Sequence, residues 1–220
     1  MAKTFMMNIT LIDLLHKIEN RIILTPSFNR GFVWSNSQIK SLFESIYLGY
    51  PIGMILAVSG EAFDFETSPP HSSHFPEGDK YIDLPSQTLW IIDGSQRLAA
   101  LYGVLRKSSL DTNIYFDLTN KEFTLKPNQK NKNATIKMSE LFDYRAFMKV
   151  QEKLFLEKTF EESLHNLNDL HKKFQEYQIP VQVIMETDKN EAIEIFSRLN
   201  IFGSSLKKDE LKKAKSYKKL

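Results

Sequence analysis

Apolar residues recur at three- and four-residue spacing in several separate stretches of this chain, with short apolar runs of strand length between them. Leu11, Leu14, Leu15 and Ile18 follow Thr10, which predicts a capped amphipathic helix. Arg21 to Leu24 reads as a short strand and Pro26 to Val33 as a loop. Ser35 or Asn36 opens a second helix whose stripe is Ile39, Leu42, Phe43 and Ile46. Gly49 ends it, Pro51 blocks its continuation, and Ile52 to Val58 follows as a buried strand. Leu89 to Ile92 is another apolar strand. It runs into Asp93-Gly94-Ser95-Gln96-Arg97, and a helix with Leu98, Leu101, Tyr102 and Leu105 begins at once.

The second half alternates in the same way. Asn113 to Leu118 and Lys121 to Leu125 predict a hairpin around Thr119-Asn120, followed by an exposed loop over 128–133. The pattern turns helical from Ser139. Leu156, Phe160, Leu164, Leu167, Phe174 and Tyr177 then mark a long helix or helix pair over about 150–178. Pro180 stops it, and Val181, Val183 and Met185 alternate as in a half-exposed strand. Asp188 caps a last helix carrying Ala192, Ile195, Phe196 and Leu199, which ends near Asn200 and Gly203. Residues 60–88 break the alternation with prolines and serines and read as a surface excursion. Its His71 and His74 lack an evident third ligand, so solvated loop histidines are expected. Strands and helices both recur along the chain, with a helical segment around 139–178.

Composition narrows the class. The 220 residues suffice for one domain with a real core. The absence of cysteine excludes disulfides, thiolate–zinc sites and a cysteine nucleophile. No signal peptide or membrane span is evident, so a cytoplasmic protein with no membrane association is expected. Net charge is +2, but the last fourteen residues hold seven lysines against one Asp and one Glu, a local +5 that leaves −3 on the remainder. Bulk charge therefore does not signal nucleic-acid binding. The segment 207–220 reads as a lysine-rich helix or the stub of a longer protein.

The richest chemistry lies at the strand–turn–helix of Asp93 to Arg97. The first amides of a helix lack intrahelical partners, and the helix dipole favours negative charge there. Gly94 lets the backbone approach a ligand, and Arg97 offers a fork of donors suited to phosphate. A nucleotide phosphate site is the first expectation. The plain alternative is that Asp93 caps the helix and Arg97 pairs with a surface acid.

Two further polar clusters border apolar elements: Phe28-Asn29-Arg30, and Arg198-Leu199-Asn200 with Gly203. Taken in order, the clusters resemble the DUF262 family, the N-terminal domain of GmrSD-type modification-dependent restriction proteins. Pro26 to Trp34 resembles the family's opening Q-R-x-(Y/F)-x-W. Ser45-Ile46 through Gly49-Tyr50-Pro51-Ile52-Gly53 resembles its S-I-x-x-G-x-P-I-G run. Ile92 to Leu98 is similar to I-D-G-Q-Q-R-L, and Phe196 to Leu206 to F-x-R-(I/L)-N-x-x-G-x-x-L. Asn29 stands where the family usually has Gln, and Ser95 replaces the first Gln of the third motif.

The resemblance implies an α+β fold over 1–206, a relative of the ParB/sulfiredoxin fold with a small mixed sheet packed by helices and a helical insertion at about 139–178. It also implies NTP binding at Gly94-Ser95-Gln96-Arg97, and in some members hydrolysis coupled to a nuclease acting on modified phage DNA, in an anti-phage restriction system. On that reading Arg30, Gly94, Ser95, Arg97 and Asn200 contact the nucleotide. Asp93 holds Mg²⁺ or orients the attacking water, Gln96 aligns that water, and Arg97 stabilises charge, so that Asp93, Gln96 and Arg97 are catalytic. Expected partners are NTP, modified DNA, a C-terminal or separate nuclease domain, and a second copy of the chain as a homo-oligomer. A second reading is a recognition module that binds phosphate on DNA, a nucleotide or a partner without turnover. A third makes the domain itself a nuclease, with Asp117 and Glu122 as further acids.

Overall fold

The computed structural model describes residues 3–26, 28–29, 31–59, 88–106, 112–130, 132–155 and 160–202, the last three without their side chains. The expected excursion over 60–88 falls almost wholly outside these residues, as do Arg30, His71, His74, Gly203 and the lysine-rich end.

Five strands form one mixed sheet: β1 (Lys3–Thr10), β2 (Ile23–Leu24), β3 (Ile55–Ser59), β4 (Leu89–Asp93) and β8 (Gln178–Met185). Their order is β1-β8-β3-β4-β2. The β8–β3 and β4–β2 pairs are parallel and the others antiparallel. Three short strands, β5 (Tyr115–Asp117), β6 (Glu122–Thr124) and β7 (Thr135–Lys137), form a second sheet in the order β6-β5-β7. The helices are α1 (Leu11–Glu19), α2 (Asn36–Tyr47), α3 (Ser95–Leu105), α4 (Tyr144–Leu154), α5 (Phe160–Glu176) and α6 (Lys189–Phe202). The fold is α+β, as the family resemblance implies. No helix among the described residues is long and apolar enough to cross a membrane.

The continuous apolar runs of β3 and β4 arise because both faces of the central sheet are covered. Ile55, Ala57, Leu89 and Ile91 face the larger core with α1, α2, α3 and α5. Leu56, Val58, Trp90 and Ile92 face the other way, against Phe28 and the Ala192, Ile193 and Phe196 of α6. Period-two alternation thus feeds two cores from the same strands.

Local chemistry sets several boundaries. Thr10 Oγ1 accepts from Asp13 N at the start of α1, and Ser35 with Gln38 closes a capping box on α2. Asp188 accepts from Glu191 N at the start of α6. Gly49, with φ +72°, follows the end of α2.

Strand β1, which no reading of the sequence anticipates, forms an edge of the sheet. Two expectations are corrected. Pro180 does not stop a helix; α5 ends at Glu176, and Pro180 lies inside β8 opposite Asn8. Pairing of β8 with β3 starts only at Val181, so the proline sits where that flank of the strand has no neighbour. The buried face of α6 is Ala192, Ile193, Phe196 and Ser197, whereas Leu199 is exposed.

Candidate functional site

β4 and α3 meet at a single residue, Gly94. Asp93 ends the strand at the surface, and Gly94 precedes the helix with φ +95°, in the left-handed region where glycine is at ease. A Cβ on Gly94 would lie 2.4 Å from Ile55 Cδ1 and 3.2 Å from Arg97 Nη2, so Ile55 and Arg97 fill the room that the glycine leaves. Gly94 is also the N-cap, and no side chain caps α3. Asp93 therefore does not act as the helix cap. Its carboxylate is 63% exposed and 3.4 Å from Arg97 Nη2. An ion pair that open to water contributes little on its own.

The Arg97 fork points inward. Nη1 donates to Ile52 O at 2.7 Å and Nη2 to Met54 O at 2.9 Å. Only 16% of the side chain is exposed. Burial lowers the guanidinium pKa from its ordinary value while Asp93 opposes the shift, and the group stays cationic at neutral pH. Arg97 thus ties the loop before β3 to the start of α3. Gly53 belongs to the same contact: its φ is +86°, and a Cβ there would lie 2.5 Å from Arg97 Nη1.

Gln96 is buried and uses both ends of its amide. Nε2 donates to Gly31 O at 3.1 Å, and Oε1 accepts from Val33 N at 2.9 Å. It pins the loop between β2 and α2 onto the helix. Asn29 fixes the same loop to β4 by donating from Nδ2 to Ile91 O at 2.8 Å. The shorter amide at this position therefore still reaches a backbone carbonyl. One residue earlier, Phe28 is buried with its ring centroid 4.8 Å from that of Phe196 in α6.

Segments that are distant in sequence thus converge on one junction: Phe28 and Asn29, Gly31 to Val33, Ile52 to Met54, Asp93 to Arg97, and Phe196. Other expected residues are not brought into it. Arg198 is exposed on α6 and pairs with Glu194 at 3.0 Å, one helical turn away. Arg30 and the side chain of Asn200 lie outside the described residues. Asp117 is buried, and its carboxylate accepts from Thr119 N, Asn120 N, Asn120 Nδ2 and Asn128 Nδ2, closing the β5–β6 hairpin. Among the described residues no three His, Asp or Glu side chains gather as a metal site. Sequence reasoning missed the Ile52 and Met54 carbonyls. The available signal was Gly53, a second glycine in the run whose role appears only when Arg97 is seen beside it.

The family described as GmrSD restriction endonuclease, N-terminal domain, matches residues 11–217. An uncharacterized protein of Methanocaldococcus jannaschii is 25% identical over 251 aligned positions, which cover 94% of this chain and 41% of that protein. The chain thus spans about two-fifths of the length of the curated relative it matches.

Proposed function

Because the chain belongs to the family of GmrSD restriction endonuclease N-terminal domains, we propose that it is the nucleotide-binding module of a DNA restriction system, regulating a nuclease activity carried elsewhere. The supporting observation is the convergence on the β4–α3 junction. Side chains from separated motifs are spent on holding one strand–turn–helix in place, and along Asp93 to Arg97 the exposed residue is Asp93, with Ser95 partly exposed at the start of α3. The first turn of a helix binds phosphate through its amides and dipole.

In this reading the roles divide. Backbone at Gly94 and Ser95 approaches the phosphates. Gln96 and Arg97 are positioning residues, holding the 31–33 and 52–54 loops, and Arg97 adds positive charge behind Asp93. Arg30 and Asn200 are the further nucleotide contacts. A single exposed carboxylate suits Mg²⁺ arriving with NTP, because Mg²⁺ uses one or two carboxylates together with phosphates and water. Asp93 would hold it, and the ion would neutralise charge on the phosphates.

A second reading has an observation in its favour. Both ends of the Gln96 amide are engaged by backbone, and Ser95 supplies no amide to align water. This favours a recognition module that binds a nucleotide or DNA phosphate without turnover. Phosphate release from each of the four NTPs with Mg²⁺, run beside Asp93→Ala, separates the two. Release that vanishes in Asp93→Ala supports hydrolysis at this junction. Nucleotide binding without release supports recognition. Neither binding nor release overturns both nucleotide readings.

A further inference from the structure

The two ends of the main sheet differ. At one end β2 is two residues long, and so short an edge offers little to another strand. At the other end β1 runs for eight residues in unbroken register with β8, its one strand neighbour among the described residues. The devices that commonly blunt an edge are missing from the middle of β1. It contains no proline and no bulge, and its one charge, Lys3, stands at its first residue, engaged by Glu186 at 2.6 Å. Lys3 to Met6 and Asn8 are exposed.

The direction of the backbone groups follows from one hydrogen bond. Leu11 N donates to Tyr177 O at 2.9 Å, one step beyond Thr10–Gln178, the last pair of the β1–β8 register. Hydrogen-bonded pairs alternate along an antiparallel ladder, so Lys3, Phe5, Met7 and Ile9 bond to β8, and Thr4, Met6 and Asn8 turn their N–H and C=O outward. Pro180, which has no N–H to give β1, stands opposite the outward-turned Asn8. Side chains alternate as well. Phe5, Met7 and Ile9 continue the face that β8 gives to the larger core through Val183, Val181 and Ile179. Ile9 is buried there and Met7 packs against the core, whereas Phe5 is exposed.

We propose that the β1 edge pairs antiparallel with β1 of a second copy of this chain, about a two-fold axis at Met6, so that the main sheet continues across the dimer. In this register Thr4, Met6 and Asn8 of one copy exchange backbone hydrogen bonds with Asn8, Met6 and Thr4 of the other. Phe5 lies opposite Met7 of the second copy on the core face, so apolar meets apolar and polar meets polar. The two Lys3 residues fall at opposite ends, about 20 Å apart along the strands, and like charges do not oppose. This complementarity of the strand with itself selects a second copy as the occupant. The edge shares no residue with the β4–α3 junction, so failure of either proposal leaves the other standing.

The test is sedimentation velocity of the full chain over a concentration series, with Met6→Lys beside the parent. The chain has no cysteine, so oxidative cross-linking of Phe5→Cys mixed with Met7→Cys reads the register directly. Thermal melts check that each variant folds. The parent is expected to pass from monomer to dimer as concentration rises, and Met6→Lys, which sets two like charges opposite, to associate at least ~10-fold more weakly. Phe5→Cys and Met7→Cys should cross-link when mixed and far less when either is alone, because each then faces a residue without a thiol. A parent that stays monomeric overturns the proposal, even where the edge accepts an extended segment of another protein. Dimerisation that Met6→Lys leaves unchanged overturns it too, by putting the interface elsewhere. So does cross-linking of either cysteine variant alone as readily as the mixture.

Discussion

Gly53 and Arg97 compete for one volume: a Cβ on Gly53 would lie 2.5 Å from Arg97 Nη1, the atom that donates to Ile52 O. Gly53 also has φ +86°. Gly53→Ala is therefore expected to lose about 2–3 kcal/mol, from backbone strain and displacement of the guanidinium. Gly49→Ala shares the positive φ but meets nothing within 4 Å, so about 1 kcal/mol is expected. Urea denaturation of the two variants checks this. Equal losses would remove Arg97 from the explanation.

Gln96 serves as a two-ended clamp, and its loss should be felt first in the loop it holds. Gln96→Ala leaves Val33 N and Gly31 O without their partner, at a cost of about 1–3 kcal/mol. Hydrogen exchange should show faster loss of the Val33 amide proton, with little change in amides at the centre of β4. Unchanged Val33 exchange would contradict the clamp.

Asp117 makes stability depend on pH. Burial pushes its pKa up, but donors from Asn128, Asn120 and Thr119 outweigh that, and the folded value lies below the ordinary carboxylate range. A depressed folded pKa stabilises the fold above the unfolded value, about 3.9. That stabilisation is lost as pH falls through the folded value. Asp117→Asn should be less stable at pH 7 by about 1–3 kcal/mol, because an amide cannot accept from all four donors. Between pH 5 and pH 2, approximately, it should also lose less stability than the parent does. Parallel pH–stability curves would contradict the assignment.

Much of the fold was legible because one-sided helices announce themselves. The stripe of α2 is buried as read, and so are Leu98, Leu101, Tyr102 and Leu105 of α3. Strand β1 was not legible: Phe5 and Met6 point to opposite faces and both are exposed, so no clean alternation survives. Pro180 misled because whether a strand tolerates proline depends on which neighbour is present, which is a tertiary fact. At the junction, sequence identified the residues but not the direction of their side chains. An Arg and a Gln beside an Asp-Gly turn read as ligand contacts. Only packing shows that their donors and acceptors are met by backbone of the 31–33 and 52–54 loops.

The central claim is that Asp93 and the start of α3 form a nucleotide site held by those clamps. Calorimetric titration of each NTP with Mg²⁺ into the parent chain and Asp93→Asn tests it most directly. Asp93 is exposed, so the variant should melt within about 0.5 kcal/mol of the parent. An NTP that binds the parent, at least ~10-fold more weakly to Asp93→Asn and only when Mg²⁺ is present, is the predicted result. Equal affinity of the two proteins, or no binding of any NTP to the parent, would contradict it.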